Sequence, residues 1–473
     1  MTKTLQSIIL SIGLMISFSC NTTQEISTKN SLMPVPASGT LYGTWLNVWF
    51  SSSESWWKSD NYYGQTTIMP NNTWSAPDWN NAEWRKMVYA DLKNAGINFI
   101  VTDNTNGLYN KSDLVFDDIN TQNIDLNYCV AFSSRELSSA TDMDWLLNRM
   151  KDNKYLRIDG KPVLVCYVTK SEWVTKFQKL TNLYADNVTK LSQFYRVWAS
   201  GENSGAEKWG WQLEPQDGLI SSKVGSFVTN SVNHEEVTSV STTSYWSMSS
   251  AIGDYTFWQA RMNPSKYVIV GSYDDLSERN GWMPMQTVAA MSDGNKKFNP
   301  TTGIQLFNTK TGKPDDPYFL RNRTENWIKG KSLTLVSGGN IPDGIYSICN
   351  VSHSKYISAN TNIKQKEIML ADDNSQTHNK FVIYHVGNNQ YRIVNVFSGF
   401  PLMSKSEIIS ADVWTGTNSE LFEFQDYNEK TEHDWILIPI GTFEQNAQSK
   451  TVKIKSTESK KLLKVGNSNI VLD

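Results

Sequence analysis

Along the first two thirds of this chain, apolar residues fall in short unbroken runs, separated by stretches in which they recur with the period of a helix. Short runs rich in Val, Ile and aromatics predict buried strands, and the longer period predicts amphipathic helices. Runs at 42–48, 97–102, 126–132, 162–167, 195–199, 225–229, 267–272 and 303–307 predict eight strands, with helix-like stretches such as AEWRKMVYADLKNAG and MDWLLNRMKDN between several of them. Strands alternating with helices in that number predict an α/β fold, a (β/α)8 barrel of the TIM type, whose chemistry sits where strands end and loops begin. The strand ends that carry chemistry are Asp103 and Asn104, residues 133–136, Tyr167, and above all Asp274 and Asp275.

The pattern changes at 329–344, KGKSLTLVSGGNIPDG, where Gly and Pro cluster. Beyond it, short alternating strands follow one another with almost no helical period. YSICNVSHSKYIS (346–358) and YRIVNVFSGFPLM (391–403) share a strand, an Asn, a polar turn and a second short strand. VKIKSTESKKLLK (452–464) reads as a third copy, one that reaches Asp473 before it can finish. The expected organisation is a barrel over 38–335 and an all-β module over 336–473. The repeats resemble the ricin-type β-trefoil, a three-lobed lectin fold, which implies a carbohydrate-binding module. The aromatic that follows a Gln in sugar-binding lobes has only Phe381 and Phe422 or Phe424 as stand-ins.

The N-terminus adds an address. Lys3, an apolar run over 8–18, then Ser19 and Cys20 follow the order of a secretory signal, and the run is too short to span a bilayer as a mature helix. Small residues before a lone cysteine resemble the bacterial lipoprotein processing box, which implies a signal peptide over 1–20, acyl chains on Cys20 and a polar tether over 21–37. The expected location is the cell envelope, outer membrane or cell surface, with the membrane as a partner through that anchor. Cys129, Cys166 and Cys349 remain, an odd number that gives no disulfide framework.

Acidic and basic residues nearly balance, at a net charge of -3, and no long basic block exists, so nucleic acid is not an expected partner. The chain has 18 Trp, 20 Tyr and 18 Phe, and all but Trp414 and Trp435 of the Trp lie between Trp45 and Trp327. Most belong to a core, but aromatics among Asn and Ser, such as Trp49, Trp56, Trp57, Tyr62 and Tyr63, suit the faces of sugar rings, with neighbouring polar side chains meeting hydroxyls. Trp209 and Trp211, flanked by Gly210, Gln212 and Glu214, read equally as a stacking platform and as core. Asp103 and Asn104 can hold sugar hydroxyls or make a turn. His234 with Glu235 and Glu236 suggests a metal, but the other histidines all lie in the C-terminal part, so no zinc site is expected. Phosphate-loop and Gly-x-Ser-x-Gly patterns are absent from the sequence.

The most informative stretch is YVIVGSYDDLSERNGWMPM, 267–285. An apolar run ends at Gly271 and Ser272, and Asp274, Asp275, Glu278, Arg279, Trp282 and Pro284 follow. Glycoside hydrolysis needs one carboxyl to protonate the leaving oxygen and a second to act as base or nucleophile, in differently tuned surroundings. Asp275 and Glu278, three apart on a turn or short helix, can face one cavity, and Arg279 can keep one of them ionised. The same residues also make an acceptable helix cap and turn.

Residues 272–278 resemble, position by position, the Ser, aromatic, Asn, Glu, Trp, His, Glu segment of the glycoside hydrolase barrels of families 71 and 99. In family 99, endo-acting α-mannosidases and α-mannanases, the two Glu are the catalytic pair. The resemblance implies that Asp275 deprotonates the sugar 2-hydroxyl and that Glu278 is the acid and base at the leaving oxygen. LYGTWLNVWF, AGINFIVTD, GKPVLVCY and DDPYFLRNRTENW agree in order and spacing, so that the likeness covers roughly 40–328. Within the superfamily, Asp-Asp-x-x-Glu-Arg-Asn-Gly-Trp resembles the mark of a bacterial branch. Asp275 is one methylene shorter than Glu, withdrawing the carboxylate by about 1.5 Å. Leu276, Ser277 and Arg279 replace Trp, His and Gly. The expected protein is a monomeric, lipid-anchored glycoside hydrolase that needs no cofactor and acts on an α-linked polysaccharide or glycoprotein glycan. Trp49, Asp103, Asn104, Tyr167, Trp209, Trp211, Asp274, Arg279 and Trp282 are its expected substrate contacts. The rival expectation is a surface glycan-binding lipoprotein without catalysis.

Overall fold

The computed structural model describes residues 39–48, 67–75, 77–104, 109–133, 140–167, 195–198, 207–208, 224–227, 247–248, 253–255, 257–258, 265–274, 281–284, 305–306, 317–330, 340–359, 368–396, 400–405, 408–411, 420–426, 434–442, 448–466 and 470–473. Cys20, the tether, Trp49, Trp209, Trp211, Asp275, Glu278 and Arg279 lie outside them, as does the side chain of Tyr167. Among the described residues, no helix is long and apolar enough to cross a membrane.

The N-terminal part is mixed α/β around a parallel sheet. Its strands are β1 (Leu41–Leu46), β2 (Ile97–Asp103), β3 (Asn127–Ser133), β4 (Lys161–Tyr167), β5 (Tyr195–Trp198), β6 (Val224–Phe227) and β7 (Tyr267–Val270). The order β6-β7-β1-β2-β3-β4-β5 continues to a short strand at Glu207–Lys208, and every pairing on this path is parallel. From β1 to β5, strands that follow one another in sequence are thus neighbours, and β7, paired with β6 on its other side, returns to pair with β1. The expected strand near 303–307 is Gln305–Leu306, which pairs instead with Ser247–Met248, outside this sheet.

The helices explain the close spacing. In α1 (Ala82–Ala95), Trp84, Val88, Leu92 and Ala95 share the buried face, and Asn81 caps the start by accepting from the N–H groups of Glu83 and Trp84. Gly96 ends the helix at φ +96, and a Cβ there would stand 2.8 Å from Ile328, so glycine is needed both for the backbone and for the approach. The chain then enters β2 at once. Gly43 in β1 is pressed onto the Phe99 ring of β2, where a Cβ would come within 2.1 Å. Helices α2 (Tyr109–Thr121), α3 (Ala140–Arg149) and α4 (Phe319–Lys329) also belong to this part.

The C-terminal part is all-β: β8 (Gly344–Asn350), β9 (Lys355–Ala359), β10 (Ile368–Ala371), β11 (Phe381–Gly387), β12 (Gln390–Asn395), β13 (Leu402–Lys405), β14 (Ile408–Ala411), β15 (Phe422–Asp426), β16 (Asp434–Thr442), β17 (Lys450–Ser456), β18 (Leu463–Val465) and β19 (Ile470–Leu472). Six of them close a ring, β8-β11-β12-β15-β17-β16 and back to β8, and the other six form the antiparallel pairs β9–β10, β13–β14 and β18–β19. The third repeat (β17, β18) is closed by β16, the strand that precedes it in the chain. Phe381, Phe422 and Phe424 are all buried within the core of this ring.

Cys129 is a buried free thiol whose pKa burial pushes up. Cys349 is disulfide-bonded, which the odd cysteine count did not suggest.

Candidate functional site

Everything about the site follows from how the chain leaves β7. At the C-terminal edge of a parallel sheet, strand ends expose backbone groups that the next residues must satisfy, which is why such edges hold ligands and reacting groups. Gly271 O accepts from Thr44 Oγ1 (2.9 Å) and from Trp282 Nε1 (3.2 Å). The N–H of Tyr273 donates to Trp45 O (2.8 Å), extending the pairing with β1 by one step. Ser272 and Asn47 meet through Asn47 Nδ2 and Ser272 Oγ at 3.4 Å.

Asp274 comes next, with no exposed surface. Its Oδ1 accepts from the backbone N–H of Asn47 (2.7 Å) and its Oδ2 from Trp79 Nε1 (2.9 Å). A buried carboxylate must be fed by donors, and these two come from the end of β1 and from the turn before α1. Residues 275–280 follow. The chain returns at Gly281, and the N–H groups of Trp282 and Met283 donate to the carbonyl of Tyr273 at 3.0 and 2.8 Å. The Trp282 ring stands edge-on to Tyr273 at 4.8 Å, its Nε1 also donating to Thr44 Oγ1 (3.1 Å), and Thr67 Oγ1 holds Pro284 O at 2.8 Å. Both feet of the segment bearing Asp275, Glu278 and Arg279 are therefore fixed at the strand edge.

The neighbouring edge of β2 carries Asp103 and Asn104, both buried. Asn104 N–H donates to Ala131 O (3.0 Å), and its Oδ1 accepts from Ser112 Oγ (2.7 Å) and Thr102 Oγ1 (3.2 Å). Its Nδ2 meets no acceptor among the described residues. The backbone of Tyr167 ends β4 opposite Ser133. Thus Asp103, Asn104, Asp274 and Trp282 share one edge across the adjacent strands β2, β1 and β7. Asp274 and Trp282 were expected at substrate; among the described contacts, each carboxylate oxygen of Asp274 accepts a hydrogen bond from the protein and the indole N–H of Trp282 donates within it. Their described contacts are those of residues that hold the segment in place.

Asn47, Trp79 and Asp91 were not foreseen as part of the site, and Tyr273 was read only as the aromatic of the 272–278 segment. Tyr273 OH donates to Asp91 Oδ2 at 2.9 Å, and burial followed by the charge of Asp91 holds the phenol's pKa well above its ordinary value. No local pattern marks Asn47, Trp79 and Asp91, because their partners lie far along the chain. Among the described residues, no group of three or more His, Cys, Asp and Glu could hold a metal ion.

No protein-family model matches the chain, and no curated protein matches it. Two solved structures of the family 99 endo-α-mannosidase from Bacteroides thetaiotaomicron are similar to it. One, in complex with bis-tris-propane, is 10% identical over 62% of this chain and 97% of that chain, with a TM-score of 0.44. The other is 11% identical over 63% and 98%, with a TM-score of 0.43. A designed three-fold symmetric protein is 15% identical over 28% of this chain and 89% of its own, with a TM-score of 0.22. Likenesses of this size define neither the family nor the activity.

Proposed function

We propose that this protein is an exported glycoside hydrolase, tethered to a membrane by acyl chains on Cys20, which cleaves an α-linked glycan with Asp275 and Glu278 as its carboxylate pair. The supporting observation is that the residues on either side of 275–280 are held at the edge of the parallel sheet. Asp274 and Tyr273 fix one foot and Trp282 and Met283 the other, at the edge where α/β folds place reacting groups. Six residues between fixed feet carry two carboxylates and an arginine.

In this reading Glu278 gives its proton to the glycosidic oxygen as the bond from that oxygen to the anomeric carbon breaks. Asp275 is the base or nucleophile on the opposing side, and a water restores both groups. No cofactor takes part. The N-terminal part is read as a (β/α)8 barrel, supported by a parallel path that follows chain order and returns from β7 to β1. The C-terminal part is read as a β-trefoil that holds glycan, supported by its closed ring of six strands and three hairpin pairs.

The test is a panel of α-mannans, α-glucans and glycoprotein glycans offered to the wild type and to Glu278→Gln. Hydrolysis by the wild type, lost in the variant while binding persists, is the expected outcome. Binding without turnover in both would establish the non-catalytic rival. For the tether, Cys20→Ser is expected to move the protein from the membrane fraction to the soluble one.

A further inference from the structure

We propose that the all-β part is a fixed lobe of this protein, docked through one side of its ring, so that both parts meet a single glycan chain in a set relative orientation; this rests on the glycosidase and glycan-holding readings above. Side chains along a strand alternate between its two faces. In β11 and β12, Phe381, Ile383, Tyr391 and Ile393 belong to the core inside the ring. The alternate residues Val382, Tyr384 and Val394 fall, with Ile345 of β8 and Val396, into a separate buried cluster that takes in Tyr255 of the N-terminal part. None of Val382, Tyr384 and Val394 has exposed surface. At the same place Tyr384 OH donates to Asp254 Oδ2 at 2.5 Å, and Asp254 is paired with Arg323 of α4.

Comparison of the repeats shows that this side of the ring is built for cover. Strands β11 and β12 pair as β15 and β17 do, with Phe381 opposite Asn395 in one case and Phe422 opposite Ser456 in the other. On the outward side the two pairs part company. Val382 stands opposite Val394, whereas the matching residues are Glu423 and Lys455, an ion pair at 3.8 Å whose side chains are each 25% exposed. Tyr384 is matched in the same way by Gln425. One ring therefore has an apolar outer side at β11 and β12 and a polar one at β15 and β17. On a module swinging free, the apolar side would be a patch open to water; here Tyr255 packs into it and Asp254 takes the Tyr384 hydroxyl. Two binding surfaces held at a set separation act on one polymer at a high effective concentration, an advantage lost when their geometry is released.

The experiment compares the full chain with its Val382→Glu/Val394→Lys variant, both in the soluble Cys20→Ser form. The two substitutions give β11 and β12 the cross-strand pair that β15 and β17 already carry, so the ring keeps a pairing it tolerates while the docked side becomes charged. Small-angle X-ray scattering reads the docking, and kcat and KM are measured on an α-mannan or α-glucan and on its di- and trisaccharides. The expected result is a larger radius of gyration in the variant, a KM for the polymer raised about tenfold with kcat within about twofold, and unchanged constants on the short sugars, because only binding shared between the parts is lost. Unchanged scattering from the folded variant, or expansion with an unchanged polymer KM, overturns the inference. A KM raised equally on short sugars overturns it too. If the wild type binds a polymer without cleaving it, the glycosidase reading fails, and the dissociation constant of that polymer takes the place of KM, with the same tenfold change expected. A wild type that binds none of the polymers overturns the inference, whatever the scattering shows. Tyr384→Gln, which copies Gln425, carries the test should the double variant not fold.

Discussion

Asp274 has no exposed surface, and its oxygens are met by donors 227 and 195 positions away in the chain, Asn47 N–H and Trp79 Nε1. Its place in a run of acidic residues at a strand end suggested a sugar contact. That run was legible; what Asp274 touches was not, because no local pattern encodes a partner so distant. Trp282 shows the same limit: its position beyond the carboxylates was readable, and the donation of its indole to Thr44 and Gly271 was not. The Trp79 bond can be tested by substitution. Trp79→Phe keeps a ring against Trp84, where the two indoles now meet edge-on at 5.0 Å, and removes the donor together with part of a fully buried indole, whose cavity adds to the cost. Leaving one oxygen of a buried carboxylate without that partner is expected to cost about 1.5–3 kcal/mol in denaturant unfolding. A loss below about 0.5 kcal/mol would show that Asp274 does not depend on Trp79.

The strands of the parallel sheet were readable because a strand buried on both faces is a near-continuous apolar run, and 97–102, 162–167 and 267–272 are such runs. Glu207–Lys208 escaped for the opposite reason: two charged residues have no period to detect. In the all-β part the repeats announced themselves, but the closure of the third did not. A pattern search looks for a closing strand after the hairpin, whereas the ring takes Asp434–Thr442 from before it. The strand β11 opens just beyond Lys380, a lysine that is 8% exposed, donating to Ser347 Oγ and to the carbonyl of Asn374. Burial lowers its pKa from 10.5 to about 8, against the pull of Asp373. The unfolded chain therefore binds more protons than the folded one between about pH 8 and 10.5, so the contribution of Lys380 to stability rises with pH across that window. Unfolding free energies from pH 7.5 to 10 should show this positive contribution in the wild type, and Lys380→Met should remove it. Equal pH slopes in the two proteins would rule it out.

At the scale of the whole molecule, a boundary near residue 335 suggested two modules on a tether, yet a buried ion pair of the first part accepts a hydrogen bond from the second. Asp254 is fully buried. Its Oδ1 accepts from Trp327 Nε1 (2.9 Å) and Arg323 Nε (3.2 Å), and its Oδ2 is paired with Arg323 Nη2 and accepts from Tyr384 OH (2.5 Å), a residue of β11. Burial pulls the Arg323 pKa down, but Asp254 leads the charges and hydrogen bonds that carry it above its ordinary value. Tyr255 packs in the same region with Ile345, Val382, Tyr384, Val394 and Val396, so aromatic and aliphatic groups of both parts seal the contact. The helix α4 contributes Arg323 to this joint and Arg321 to Asp91, which places one rigid element between the all-β part and the hold on Tyr273. Sequence reading missed the joint because Asp254 sits outside every predicted element, and a lone aspartate has no spacing to interpret. A buried pair that loses one charge leaves the other uncompensated, so Asp254→Asn is expected to cost about 3–5 kcal/mol. Tyr384→Phe, which removes one hydrogen bond to that carboxylate, should cost about 1.5–3 kcal/mol. Calorimetry on the full chain should then show one unfolding transition in the wild type that lowers and splits in Asp254→Asn, since the joint is what makes the parts melt together. Two independent transitions already present in the wild type, with the variant shifting only one of them, would show that the contact joins the parts without coupling their folding.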